Sequence, residues 1–130
     1  MKFGVVGDVH ANLESLTAVV DVLINKEKVD RIFCLGDIVG YNANPGECID
    51  LLRKHEAVCI SGNHDRFVAG EIDAVIRPET RHVVEFTRKV LTKEQMEFIA
   101  GLPEENIFEE NFLFVHGSPR HKDEYINSLQ

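Results

Sequence analysis

The chain has 130 residues, a formal net charge of −8, and 44% hydrophobic and 28% charged residues. Residues 1–130 are enough for a single domain, and this balance excludes a disordered, fibrous or disulfide-stapled chain. The acidic excess excludes long nucleic acid as a partner, no apolar run reaches the ~20 residues of a membrane span, and Asp8 comes too early for a secretory leader.

Lys2 to Val6 is a short apolar run ending at Gly7 and reads as a strand. Asn12 is placed to cap a helix carrying Leu13, Leu16, Val20, Leu23 and Ile24 on one face. Arg31 to Leu35 is a second strand, closed by Gly36. Asn44 before Pro45 opens a helix through Lys54, with Arg53 and Lys54 at its negative end. Ala57 to Ile60 is a third strand, stopped by Ser61-Gly62. From Arg66 to Gly101 the period is mostly helical, and Val83, Phe86, Val90 and Leu91 form a stripe expected to pack in the core. Thr92 with Gln95 forms a capping box for a short helix that Gly101 and Pro103 end. Ile107–Phe108 and Phe112–Val115 read as a hairpin around Glu110-Asn111. The alternation implies an α/β domain with a largely parallel central sheet. Cys34, Cys48 and Cys59 lie in apolar or helical contexts and read as buried thiols of a reducing cytoplasm, which is the expected location.

Four polar clusters each follow an apolar strand: Gly7-Asp8-Val9-His10, Gly36-Asp37, Gly62-Asn63-His64-Asp65 and His116-Gly117-Ser118-Pro119. Ligand sites of open α/β sheets form beyond the carboxyl ends of strands, so Asp8, His10, Asp37, Asn63, His64 and His116 are expected on one rim. Carboxylate and imidazole together suit first-row divalent ions. Asp8 and His10, two apart, face the same side of any continuing strand. Asp37 has two oxygens and can bridge two ions, and Asn63 adds a neutral carbonyl oxygen. Asp65 is placed in sequence to orient His64. His55 at a helix end, His82 within a helical stretch and His121 between Arg120 and Lys122 are not expected to be ligands.

Asp8-x-His10, Gly36-Asp37-x-x-Gly40-Tyr41, Gly62-Asn63-His64-Asp65-Arg66 and His116-Gly117-Ser118-Pro119-Arg120 resemble the successive motifs of calcineurin-like metallophosphoesterases, in their small prokaryotic phosphodiesterase-like branch. The resemblance runs from Lys2 to about Tyr125. It implies a four-layer α/β/β/α sandwich, two mixed sheets face to face between helices. It also implies two divalent metal ions (Mn, Fe, Ni or Zn, with Mn favoured). Asp8 and His10 would hold the first, Asp37 would bridge, and Asn63 and His116 would hold the second. His64 would act on the leaving group beside a metal-activated hydroxide. The activity implied is hydrolysis of a small phosphate ester, as a phosphodiesterase or a phosphatase.

The family's later Gly-His-x-His motif has no counterpart up to Gln130. The expectation is therefore a domain cut before that motif, with later strands of the second sheet missing and each metal one ligand short. The alternative reading is an incomplete, non-catalytic metal- or partner-binding domain, completed at an unpaired sheet edge by a second copy or another chain. The helical stretch after Arg66 is expected to lie over the metal rim and select the substrate.

Overall fold

Alternation along the first strand decides how the layers are built. In the computed structural model, which describes residues 1–70 and 76–128, β1 (Phe3–Val6) turns Phe3 toward one face and Gly4 toward the other. A side chain at Gly4 would come within 2.8 Å of Leu23, so β1 lies flush on the π-helical turn Val22–Lys26 that extends α1 (Leu13–Asp21). Asn12 caps α1 as expected, its side chain accepting from the Ser15 N–H at 3.1 Å.

β2 (Arg31–Cys34) is the central strand of a parallel sheet of order β1-β2-β3, with β3 reduced to Val58–Cys59. Gly4 pairs with Ile32, Val5 with Phe33, and Cys34 with Cys59. Ile32, Phe33 and Cys34 are all buried, the pattern of a strand covered on both faces. On the helical side Ile32, Cys34 and Cys59 join Leu16, Val20, Cys48, Ile49 and Leu52 in one core. Cys48, Ile49 and Leu52 come from α2 (Pro45–Lys54). All three cysteines are buried and free.

On the opposite face lies an antiparallel hairpin, β4 (Glu105–Phe108) and β5 (Phe112–Val115), with Phe108 opposite Phe112. Phenylalanines hold it there. Phe33 stacks on Phe114 at 4.2 Å between centroids and meets Phe3 and Phe108 edge-on at 5.3 and 5.1 Å. Such contacts each add about 0.5–1.5 kcal/mol beyond the area they bury. Helices, parallel sheet and hairpin make three of the four expected layers among the described residues, and the two sheets do lie face to face.

The stretch after Arg66 forms α3 (Asn63–Ala69), α4 (Pro78–Val90) and α5 (Lys93–Ala100). Residues 71–75 of that helical reading lie outside the described residues. The stripe expected on α4 is turned about the helix. Val84, Thr87 and Leu91 are buried, whereas Phe86 and Val90 are 43% and 46% exposed. The reason is Thr87, whose hydroxyl donates to the Val83 carbonyl at 2.8 Å. That internal bond satisfies the hydroxyl and lets a polar residue face the core. Arg88 leaves the same helix to donate to the Phe67 and Val68 carbonyls at 2.7 and 2.9 Å, satisfying the end of α3. The Thr92–Gln95 capping box forms as expected, with bonds of 3.0 and 3.2 Å.

Candidate metal centre

Three loops are stitched together by their backbones where the strands end. The β1 loop does not continue as a strand: Asp8, His10 and Ala11 have left-handed φ of 51°, 47° and 57°. Its N–H groups donate across to the β2 loop, Asp8 to Gly36 O at 3.1 Å, His10 to Asp37 O at 2.8 Å and Ala11 to Ile38 O at 2.8 Å. The β2 loop in turn crosses the β3–α3 loop at two glycines. A Cβ on Gly36, whose φ is +90°, would lie 2.4 Å from Gly62 N, and one on Gly62 would lie 2.0 Å from Asp37 Oδ1. Only hydrogens fit in that crossing. His64 N–H then donates to Asp37 Oδ1 at 2.9 Å.

Asp65 is the second clasp, and here the sequence reading is corrected. Asp65 does not orient His64. Its Oδ1 accepts from the Ile38 and Val39 N–H groups at 3.0 and 3.1 Å, and its Oδ2 from Gly62 N–H at 2.9 Å. Neighbours i and i+1 on a helix point in different directions, so the carboxylate turns into the loops and away from the imidazole. His64 Nδ1 is buried with no hydrogen-bond partner among the described residues. Full burial raises the Asp65 carboxyl to about 7, against the pull of the N–H donors of Gly62 and Val39.

Asp8, His10, Asp37, Asn63, His64 and His116 do converge. His10 Nε2 is 3.6 Å from Asp8 Oδ1 and 3.6 Å from Asp37 Oδ2. From the far side, His116 Nε2 is 3.5 Å from Asp37 Oδ2 and 3.1 Å from Asn63 Oδ1. Donor atoms of His10, Asp37 and His64 lie within 4.8 Å of one another, as do those of Asp8, Asp37 and His116. Asp37, only 3% exposed, belongs to both groups. His55, His82 and His121 belong to neither.

Both flanking imidazoles are held by their other nitrogen. His10 Nδ1 lies 3.2 Å from Val39 O, and His116 Nδ1 lies 2.7 Å from Leu35 O. A carbonyl can only accept, so Nδ1 carries the proton, and a neutral ring presents the bare lone pair of Nε2 to carboxylate oxygen. Acceptor then faces acceptor unless something positive lies between. At His116 in the metal-free chain a proton does this. Hydrogen bonding to Asp37 raises His116 to about 9, against its burial. Burial works to raise Asp37, but the His116 bond and charge outweigh it and hold that carboxyl below its usual range. A divalent cation meets the same need, and the donor set fits it: carboxylates, imidazole nitrogens and an amide oxygen around a shared Asp37. His64 is lowered, first by its burial, so its ring is neutral at neutral pH.

A cavity of about 870 Å³ opens over these donors. Its outer wall is formed by Tyr41, Phe67, Tyr125 and Ile126. Of the helical stretch expected over the rim, only α3 and the following Gly70 line it among the described residues; α4 and α5 pack behind, on α2 and α3. The remaining wall is the segment after His116. Ser118 Oγ accepts from Arg120 N–H and His121 N–H at 3.1 and 3.2 Å and donates to Glu124. Arg66 is buried on α3, donates to Ser61 O at 3.3 Å and pairs with Asp123 of that segment. Sequence reasoning missed Tyr125 and Ile126, for which the only local signal is their nearness to His116.

Residues 1–130 match the family described as calcineurin-like phosphoesterase. The chain is 40% identical over 129 residues to an uncharacterized protein of Methanocaldococcus jannaschii, covering 94% of this chain and 52% of that protein. It is 38% identical to a metallophosphoesterase of Sphaerobacter thermophilus, with a TM-score of 0.79 over 97% of this chain and 51% of that one. A hypothetical protein of Pyrococcus horikoshii shares the fold at a TM-score of 0.85 and 20% identity, over 96% of this chain and 58% of that one. The chain thus spans about half the length of the relatives it matches. Among the described residues no helix is long and apolar enough to cross a membrane.

Proposed function

The chain belongs to the calcineurin-like phosphoesterase family, and on that premise we propose that it hydrolyses a small phosphate ester at a pair of divalent cations held on Asp37. The observation that carries this reading is the place of Asp37 Oδ2 between two imidazoles, 3.6 Å from His10 Nε2 and 3.5 Å from His116 Nε2. Asp8 and His10 would hold one cation, Asn63 and His116 the other. Two such cations supply Lewis acidity to the phosphoryl oxygens and a water of lowered pKa.

The protein's own groups do the rest. Without cations, Asp8 and Asp37 on a chain of net charge −8 repel a phosphate, so substrate binding depends on the charge reversal that cations bring. The Leu35 and Val39 carbonyls fix the imidazoles with Nε2 inward before any ligand arrives. His64, neutral and buried beside the donors, offers a ring N–H to the departing oxygen. One such placed donor is typically worth about 10²–10³ in rate. Manganese is the proposed occupant, since carboxylate-rich sites with imidazole accept it well, and the cytoplasm the proposed location.

The test is hydrolysis of bis(p-nitrophenyl) phosphate with added Mn²⁺. Turnover lost in Asp37→Ala and reduced about 10²–10³-fold in His64→Ala supports the reading; turnover unchanged in either variant refutes it.

A second reading rests on the edge of β1, whose outer side has no strand partner among the described residues. Val5 on that strand is 50% exposed. In this reading the chain binds metal without turnover and pairs its edge with a second copy. Light scattering that finds a dimer, together with metal binding and no hydrolysis, would favour it.

A further inference from the structure

The cavity is far larger than a phosphate. Sites of several hundred Å³ to about 1,000 Å³ enclose a whole organic ligand, and this one measures about 870 Å³. The donors described above occupy its floor, which leaves the aromatic wall without an assigned task.

Tyr41 stands out on that wall. It is 62% exposed, although its ring touches two site imidazoles: centroids lie 4.7 Å from His10 and 4.6 Å from His64. Its backbone is left-handed, with φ of +63°, where a bulky residue is a genuine outlier and where glycine or asparagine would sit without strain. The strain is held in place by Asn42. Its N–H donates to Gly40 O at 2.8 Å, and its Nδ2 donates to His10 O at 2.9 Å. A large aromatic ring is thus kept, at a backbone cost, beside the donors and open to the cavity. Phe67, Tyr125 and Ile126 line the same space. Backbone strain of this kind concentrates at functional sites.

We propose that Tyr41 is the specificity-determining residue of this site, a platform on which a planar aromatic group of the phosphate ester, a nucleobase or an aryl ring, stacks while its phosphate sits over Asp37. The inference rests on the phosphoesterase reading and adds the substrate class to it. Stacking of a base on an aromatic side chain changes affinity by roughly 5–100-fold, so about tenfold is the expected preference.

The sequence supplies a direct probe: the chain has two tyrosines and no tryptophan. In a Tyr125→Phe background, tyrosine emission comes from Tyr41 alone. With the Zn²⁺-loaded chain, adenosine 5′-monophosphate should quench that emission and glycerol 2-phosphate should not. Titration calorimetry should give about tenfold tighter binding of the nucleotide. Tyr41→Phe should keep the preference. Tyr41→Asn, which suits the left-handed backbone, should abolish it while leaving glycerol 2-phosphate affinity and bound Zn²⁺ unchanged. Equal affinities in the unmodified chain overturn the proposal and leave the phosphoesterase reading standing. So does a Tyr41→Asn variant that weakens both ligands alike or loses Zn²⁺, since the ring would then serve only His10 and His64. If the Zn²⁺-loaded chain binds neither phosphate, the phosphoesterase reading itself fails, and this one with it.

Discussion

Gly62→Ala separates close packing from backbone conformation as the reason for a glycine at the centre. Gly62 has φ of −93°, which any residue adopts, so alanine meets no backbone strain there. Its Cβ, however, would lie 2.0 Å from Asp37 Oδ1 and 2.4 Å from Asp37 N. Ordinary contact is about 3.5 Å, so the two loops must part by roughly 1 Å or more. That movement breaks the 2.9 Å bond from His64 N–H to Asp37 Oδ1, a bond to a charged acceptor worth about 1.5–3 kcal/mol. Overpacking adds about 1–3 kcal/mol. The sum, about 2.5–6 kcal/mol, is a large part of the 5–15 kcal/mol that holds a domain together, and corresponds to a melting point lowered by about 10–25 °C. Because Asp37 serves both donor groups, Mn²⁺ affinity should fall about 10–100-fold at each position. Gly70→Ala is the control. Its φ is +108° but, among the described residues, nothing lies within 4 Å of its Cβ position, so it should cost about 1–2 kcal/mol of strain and leave Mn²⁺ binding unchanged. Thermal unfolding and calorimetric Mn²⁺ titration read both variants. Gly62→Ala protein that binds Mn²⁺ as the unmodified chain does, or Gly70→Ala protein that loses it, would show that close packing at Asp37 is not why glycine stands at Gly62.

The metal-free chain should lose stability as pH rises from about 6.5 through 9. His116 is raised to about 9, so its contribution is complete below the unfolded value of about 6.5 and lost above the folded one. After solvent screening this amounts to about 1–2 kcal/mol, and His116→Gln should flatten the slope in pH-dependent thermal melts. For the same reason Mn²⁺ uptake at pH 7.5 should release close to one proton per chain, because a ligating imidazole must be neutral. Calorimetry in buffers of different ionisation enthalpy measures that release, and His116→Gln should remove it. Phe33→Ala, which empties the junction between sheet and hairpin, should cost about 3–5 kcal/mol by denaturant unfolding.

The positions that converge at the strand ends are legible because they break a local rule. Asp8, Asp37, Asn63 and His116 are polar residues directly after apolar strands, and an α/β sheet sends all such positions to one rim. The strands and caps were legible for the usual reason, that period 2, glycine stops and Asn12 or Thr92 agree with one another. What escaped lies between segments. Nothing local announces that Gly36 and Gly62 cross so closely that a Cβ on Gly36 would lie 2.4 Å from Gly62 N. Adjacency in sequence points Asp65 at His64, but helix geometry sends it to the amides of Ile38, Val39 and Gly62. The buried face of α4 was misplaced because Thr87 counts as polar until its hydroxyl is seen bonded to Val83 O. Tyr125 and Ile126 reach the cavity because Arg66 pairs with Asp123, a contact that spans much of the chain.

Mn²⁺ titration of the chain, followed by calorimetry and by electron paramagnetic resonance, tests whether Asp37 is shared by two cations. Two ions per chain with a spin-coupled signal, both lost in Asp37→Ala, is the expected result. A single uncoupled ion, or binding that survives Asp37→Ala, would contradict it.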